Sequence, residues 1–202
     1  MELFSLSAED LRKESLKLAN EIKRDFDPDT VVFIAKAGFP IAEVIADVCG
    51  AELIGISAAR KGSLLKRMLS PLLRHLPRGL LRKLRRMELR SGVHTKNPER
   101  NVSFLREPTV KTAERVLIVD DSADTGHSFL AVMKPVAARF PQATVKTAAL
   151  NVWAKSEELL TVDYSLYRDT ALQTPMSNDS PEHGAFLKRY RAYLKTLPPN
   201  GK

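Results

Sequence analysis

One cysteine, Cys49, stands in a chain of 202 residues. No intrachain disulfide can form, and no multi-cysteine metal site is available. No apolar run approaches the roughly 20 residues that span a bilayer. The opening stretch, Met1 to Asp10, is acidic and polar, unlike a secretory leader. Internal repeats and low-complexity tracts are missing as well, so no repeat architecture is indicated. At 44% hydrophobic and 28% charged residues, the composition is too apolar for general disorder. What is left is a soluble, cytoplasmic globular protein. Its length suffices for one domain with a core and a substantial insertion.

Negative charge is scarce in one place only. The formal net charge is +8, yet residues 60–106 alone hold 14 Lys or Arg against 2 acids, Glu88 and Glu99. The remainder has 18 bases and 22 acids. The chain is therefore a mildly acidic protein with one strongly basic segment, and a uniformly basic nucleic-acid coat protein is excluded.

Alternating apolar runs and helical patterns organise the rest. Ser7-Ala8-Glu9-Asp10 has the form of a capping box opening a helix to about Phe26. Val31 to Ala35 is a continuous run of the kind a buried parallel strand shows. Lys36-Ala37-Gly38 is a loop, Pro40 to Cys49 a helix ended by Gly50, and Leu53 to Ser57 the next strand. Beyond the basic segment, Val102–Leu105 and Val116–Val119 read as strands, the second ending in Asp120-Asp121. A helix over Ser128–Phe140, a strand over Val145–Trp153 and a further strand over Val162–Tyr167 follow. Ser180-Pro181-Glu182 predicts a last helix with Ser180 as its cap. Phe186, Tyr190, Tyr193 and Leu194 form its apolar face. This alternation predicts an α/β fold with a mostly parallel central sheet and flanking helices. Ligands in such sheets bind at the carboxyl ends of strands, which directs attention to Lys36-Ala37-Gly38 and to Asp120–Ser128.

Asp120 and Asp121 offer two adjacent carboxylates to vicinal hydroxyls or to a hydrated divalent cation. Asp124-Thr125-Gly126-His127-Ser128 then turns into a helix, whose first N–H groups and hydroxyls can cradle an anion. A diol site beside a phosphate cradle is the footprint of a sugar phosphate. A response-regulator receiver also has a strand ending in Asp-Asp-Ser, with Asp163 at a tempting distance downstream. It fails on chain order, because a receiver begins with that strand.

The run Val116 to Ser128 resembles the phosphoribosyl pyrophosphate (PRPP) motif of type I phosphoribosyltransferases: four hydrophobics, two acids, two variable positions, an acidic or small residue, Thr, Gly, any residue, then Ser or Thr. The resemblance implies that Asp120 and Asp121 bind the ribose hydroxyls. It implies a PRPP-binding segment running on through Ala123, Asp124, Thr125, Gly126, His127 and Ser128, with the 5′-phosphate held at 124–128. Asp124 is placed to act in proton transfer at the base. Two positions depart from the usual pattern: Ala123 is small, and His127 stands where many members have Lys. Lys36, Ala37 and Gly38 occupy the place of the pyrophosphate loop, with Ala37 where the 6-oxopurine members often have glycine. Lys155, after the Val145–Trp153 strand, matches the lysine that meets a purine 6-oxo group. Ala171, however, stands where that branch has a stacking aromatic, and Trp153 or Tyr167 could substitute only with a different geometry.

The resemblance implies transfer of the 5-phosphoribosyl group of PRPP to a nitrogenous base, Mg²⁺ arriving on PRPP, and a homo-oligomer. The expected organisation is one domain over 1–202, with a basic helical insertion at about 60–100 and a C-terminal hood and helix at about 155–197. Residues 64–89 pattern as two short amphipathic helices, and 90–96 as a closing element with Lys96 or Arg100 reaching phosphate. Their apolar stripe has three readings: the protein's own core or a second subunit, an anionic membrane, or nucleic acid. Aromatics are absent from residues 60–100, which argues against stacking on single strands. The alternative to an enzyme is a PRPP-sensing regulator, or a non-catalytic PRPP binder, whose basic arm engages nucleic acid or membrane.

Overall fold

The computed structural model describes residues 3–60 and 100–197. The chain divides into two compact units, Met1–Ala58 with Val102–Lys202, and Ala59–Asn101. The helices and closing element expected within 64–96 lie outside the described residues. In chain order the elements are β1 (Leu3–Ser5), α1 (Ala8–Asp25), β2 (Thr30–Ala35), α2 (Phe39–Cys49), β3 (Glu52–Arg60), β4 (Arg100–Phe104), β5 (Arg115–Ala123), α3 (His127–Arg139), β6 (Thr144–Val152), α4 (Ala154–Glu157), β7 (Tyr164–Arg168), β8 (Ala171–Gln173) and α5 (His183–Thr196).

Six strands form the main sheet in the order β4-β3-β2-β5-β6-β7. Its pairings β2–β3, β2–β5, β5–β6 and β6–β7 are all parallel. From β2 the chain moves by α2 to β3 on one side, and from β5 by α3 to β6 on the other. The two connections leave neighbouring strands in opposite directions, which opens a crevice at their carboxyl ends.

Alternation along the strands assigns the faces. Val31, Phe33, Leu117 and Val119 pack with α1, α2 and α5, while Val32, Ile34, Val116 and Ile118 pack with Phe129, Val132 and Val136 of α3. The first face holds an aromatic cluster: Phe39 lies 5.4 Å from Phe33, 5.6 Å from Tyr190 and 4.7 Å from Tyr193, centroid to centroid. That cluster anchors the start of α2, and with it the loop that precedes α2.

The capping box is present: Asp10 N–H donates to Ser7 Oγ at 3.1 Å, and the Asp10 carboxylate accepts from Ser7 N–H. Two expectations need correction. β5 runs on through the two acids to Ala123, because β6 keeps pairing with it as far as Ala123↔Val152. α5 begins at His183, not at Ser180; Ser180 instead closes a turn, its carbonyl accepting from His183 N–H at 3.1 Å and its hydroxyl from Glu182 N–H at 3.2 Å. β1 and β8, three residues each, pair in parallel as a separate small sheet, Leu3↔Ala171 to Ser5↔Gln173. β7 belongs to the main sheet. Asp163 does not face the motif acids: its carboxylate accepts from Thr147 N–H and Oγ1, both at 2.8 Å, near the amino-terminal end of β6.

Candidate active site

The crevice between β2 and β5 brings the two segments together. Gly38 is buried, and a Cβ there would lie 2.5 Å from the Val119 carbonyl oxygen and 3.1 Å from Asp120 Cα. Only a residue without a side chain lets this loop lie against the motif strand. The Gly38 and Phe39 N–H groups donate to the Ile34 and Lys36 carbonyls, both at 3.1 Å, and the Ala35–Lys36 peptide is cis. Lys36 is exposed at the tip, and Ala37 is half-buried against the core.

On β5, Asp120 is only 7% exposed, and its Oδ1 accepts from Asp121 N–H at 3.0 Å. Burial first, and then the Asp121 charge, push the Asp120 carboxyl well above the usual carboxylate range. Burial also raises Asp121, with Asp124 adding to the effect. Three carboxyls at one strand end thus repel one another, and hydroxyl donors or a cation would relieve that repulsion. Asp124 is exposed and accepts a 2.6 Å hydrogen bond from Ser122 Oγ. The turn is made by Gly126 at φ +72°, a conformation that disfavours any other residue. No side chain caps α3, so its first N–H groups remain available to an anion. His127 Nδ1 lies 3.1 Å from both the carbonyl and the hydroxyl of Thr125. Ala123 is a core residue at 2% exposure, packed in the α3 face, and its carbonyl accepts from Trp153 N–H at 3.0 Å.

A cavity of about 500 Å³ opens beside this strand end, lined by Asp121, Ser122, Asp124, Asn151, Trp153, Lys155 and the segment Thr170–Leu172, with Thr174 and Ser177. It joins Lys155 with Asp121 and Asp124 in one space. Tyr167 is not on its wall and lies 6.1 Å from Phe4, centroid to centroid. Ser122, Asn151, Thr170, Thr174 and Ser177 are the wall residues that sequence reasoning left out. Asn151 carried a signal: it is the one polar residue in the apolar run Ala148–Trp153.

Among the described residues no group of three or more His, Cys, Asp or Glu could hold a metal ion. The Asp120–Asp121 pair nevertheless fits a divalent cation, as hard oxygens whose charge is otherwise uncompensated, if a phosphate-bearing substrate supplies the remaining ligands.

A mostly parallel sheet with paired acids and an uncapped helix start at its switch point defines an α/β domain of the kind that takes ligands at its strand ends. The model of the phosphoribosyl transferase domain family matches residues 7–180, and the chain belongs to that family. The chemistry of the family is phosphoribosyl transfer, with PRPP and a nitrogenous base as substrates. No curated protein matches the sequence. Among solved structures, the chain is similar to a purine phosphoribosyltransferase of Pyrococcus horikoshii Ot3, with TM-score 0.63, 17% identity, and 89% of this chain and 97% of that one covered. It is likewise similar to the xanthine-guanine-hypoxanthine phosphoribosyltransferase of Helicobacter pylori, with TM-score 0.62, 17% identity, and 95% and 99% covered. A hypothetical protein from Neisseria gonorrhoeae with bound ppGpp matches at TM-score 0.55 and 14% identity, with 95% and 97% covered. At these identities the likeness establishes the fold alone.

Proposed function

We propose that the protein transfers the phosphoribosyl group of PRPP to a 6-oxopurine, with Asp124 as general base and Lys155 as the group that reads the exocyclic oxygen. The observation that carries this reading is the shared cavity, which joins Asp121 and Asp124 to Lys155 across a space walled by Trp153 and Leu172. Asp120 and Asp121 receive the ribose hydroxyls, the α3 start with Thr125 and Ser128 receives the 5′-phosphate, and Lys36-Ala37-Gly38 receives the pyrophosphate. Asp120 and Asp121 would help PRPP oxygens hold Mg²⁺, which would neutralise charge on the pyrophosphate.

In this mechanism the bond between C1′ and the pyrophosphate oxygen breaks while a ring nitrogen attacks C1′. Asp124 takes the proton that the nitrogen gives up. Its acceptor bond from Ser122 Oγ fixes one carboxylate oxygen and leaves the other for the base. Lys36 and the loop amides meet charge as it develops on the leaving pyrophosphate. An ammonium at Lys155 donates to an oxygen but repels an amino group, so it favours a 6-oxo over a 6-amino purine. Trp153 supplies the aromatic wall that Ala171 does not. The names of the Pyrococcus and Helicobacter proteins support a purine acceptor.

The test is a comparison of KM for hypoxanthine, guanine and adenine in the native protein and in Lys155→Ala. The reading expects 6-oxopurines to be preferred and the preference to shrink about 10–100-fold in the variant, the worth of one charged hydrogen bond. An unchanged preference would remove Lys155 from the site.

A further inference from the structure

We propose that Asn151 is a positioning residue that sets the width of the base site. The inference rests on the acceptor site described above, and it concerns a residue of β6 that belongs to neither the 116–128 motif nor the 36–38 loop. Asn151 sits near the end of β6, between Ser122 of β5 and Tyr167 of β7 in the sheet register, and is 2% exposed. A buried amide must spend its hydrogen bonds on protein. This one spends them on a single residue: Nδ2 donates to the Thr170 carbonyl at 3.0 Å, and Oδ1 accepts from Thr170 N–H at 3.4 Å. The side chain thereby acts as a short extra strand partner for a residue just outside β7 and just before β8.

The neighbouring residue completes the fastening. Asp169, at φ +48°, donates its N–H to the Val152 carbonyl at 3.0 Å, and its carboxylate accepts from Ala154 N–H at 2.8 Å. Ala154 lies between Trp153 and Lys155, so Asp169 holds the corner that carries both. Asn151 and Asp169 together tie the two walls of the cavity: the Trp153–Lys155 corner on one side, and Thr170-Ala171-Leu172 on the other. The second wall continues into β8, whose other partner is the three-residue strand β1 at the N-terminus. So small a sheet cannot hold the wall rigidly by itself. Beside the Asp169 N–H bond to Val152, the Asn151 amide ties Thr170 itself to the main sheet. The side-chain bonds of Asn151 go to Thr170 and none to residues 124–128 or the loop at 36–38, so the contacts to the 5′-phosphate and pyrophosphate should not depend on it.

The experiment replaces Asn151 with Ser, which is smaller and uncharged, and with Asp, which keeps the shape but cannot donate to the Thr170 carbonyl while ionised. KM for base, KM for PRPP, kcat and Tm are measured for each. The expected result is a base KM at least 10-fold higher in both variants, with the PRPP KM within 2-fold of native. Amide hydrogen exchange at Thr170 should also accelerate relative to Ala148–Leu150. If both KM values rise together, or if the base KM stays within 2-fold in a folded variant, the positioning role is overturned. Should one variant not fold, the other decides. A native protein with no turnover on any purine refutes the acceptor reading itself, and Thr170 exchange then still reports whether the link exists.

Discussion

Replacing Gly38 with Ala tests the contact on which the site is built. The substitution introduces no backbone strain, since Gly38 has φ −66° and ψ −18°, ordinary helical values. Its whole effect is steric. The new methyl group would lie 2.5 Å from the Val119 carbonyl oxygen, where ordinary contact begins at about 3.4 Å. One of two backbones must retreat by about 0.9 Å to restore that contact. Neither is the free end of a side chain: β5 is paired on both sides, and the loop is anchored by Phe39 in the aromatic cluster. Overpacking of this kind costs about 1–3 kcal/mol, or roughly 2–12 °C in Tm at this chain length. The loop moves in preference to the sheet, so the pyrophosphate contacts shift against the ribose contacts by most of an ångström. A misplacement of that size costs about 100-fold in rate. Steady-state kinetics with PRPP as the varied substrate, together with thermal unfolding, read both effects. The control is Gly184→Ala, in the first turn of α5 with open space around it; it should gain about 0.4–1 kcal/mol by narrowing the unfolded chain's freedom and leave kinetics unchanged. Full activity and an unchanged Tm in Gly38→Ala would refute the close approach.

Asp124→Asn should lower kcat by about 100- to 10,000-fold, the range of general-base catalysis, while PRPP affinity by calorimetry changes little. Asp120→Asn should weaken PRPP binding yet stabilise the free protein. Because the folded pKa of Asp120 lies well above the ordinary value of 3.8, the folded state binds protons more tightly than the unfolded one, and stability declines as pH rises between those two values. The Asn variant escapes that decline. Its Tm advantage, from about 0.5–2 kcal/mol, should appear near pH 7 and vanish as pH falls toward 4; a variant less stable than native at pH 7 would contradict this. Arg139 donates to the carbonyls of Pro108, Val110 and Lys111, so Arg139→Leu should cost about 1–3 kcal/mol by leaving the buried Pro108 and half-buried Val110 carbonyls without that donor. Denaturant unfolding measures that loss, and activity of the folded fraction should be retained.

The frame of the fold was legible because its signals are periodic and local. A capping box at Ser7–Asp10, continuous apolar runs at Val31 and Val116, and Gly50 after α2 each have one ready structural meaning. The motif at 116–128 stands out for a different reason: its residue types suit a diol and a phosphate at once. Where β5 ends was misjudged because hydrophobicity stops at Val119, whereas pairing with β6 depends on backbone and continues to Ala123. Three-residue strands such as β1 and β8 carry no period to read. The signature Ser180-Pro181 marks a turn as readily as a helix start, and here the turn takes it. Asn151 and Thr170 meet only in space, 19 residues apart in the chain. The one local signal, a polar residue in the apolar run Ala148–Trp153, marks Asn151 as unusual but does not name its partner.

The central claim is that the β2–β5 crevice performs phosphoribosyl transfer to a 6-oxopurine. Release of pyrophosphate from PRPP, measured with Mg²⁺ across hypoxanthine, xanthine, guanine, adenine and a pyrimidine set, tests it most directly. Turnover with one or more 6-oxopurines, abolished by removing the base and strongly reduced in Asp124→Asn, is the predicted result. PRPP binding without turnover on any base would contradict the account and favour a PRPP-sensing role.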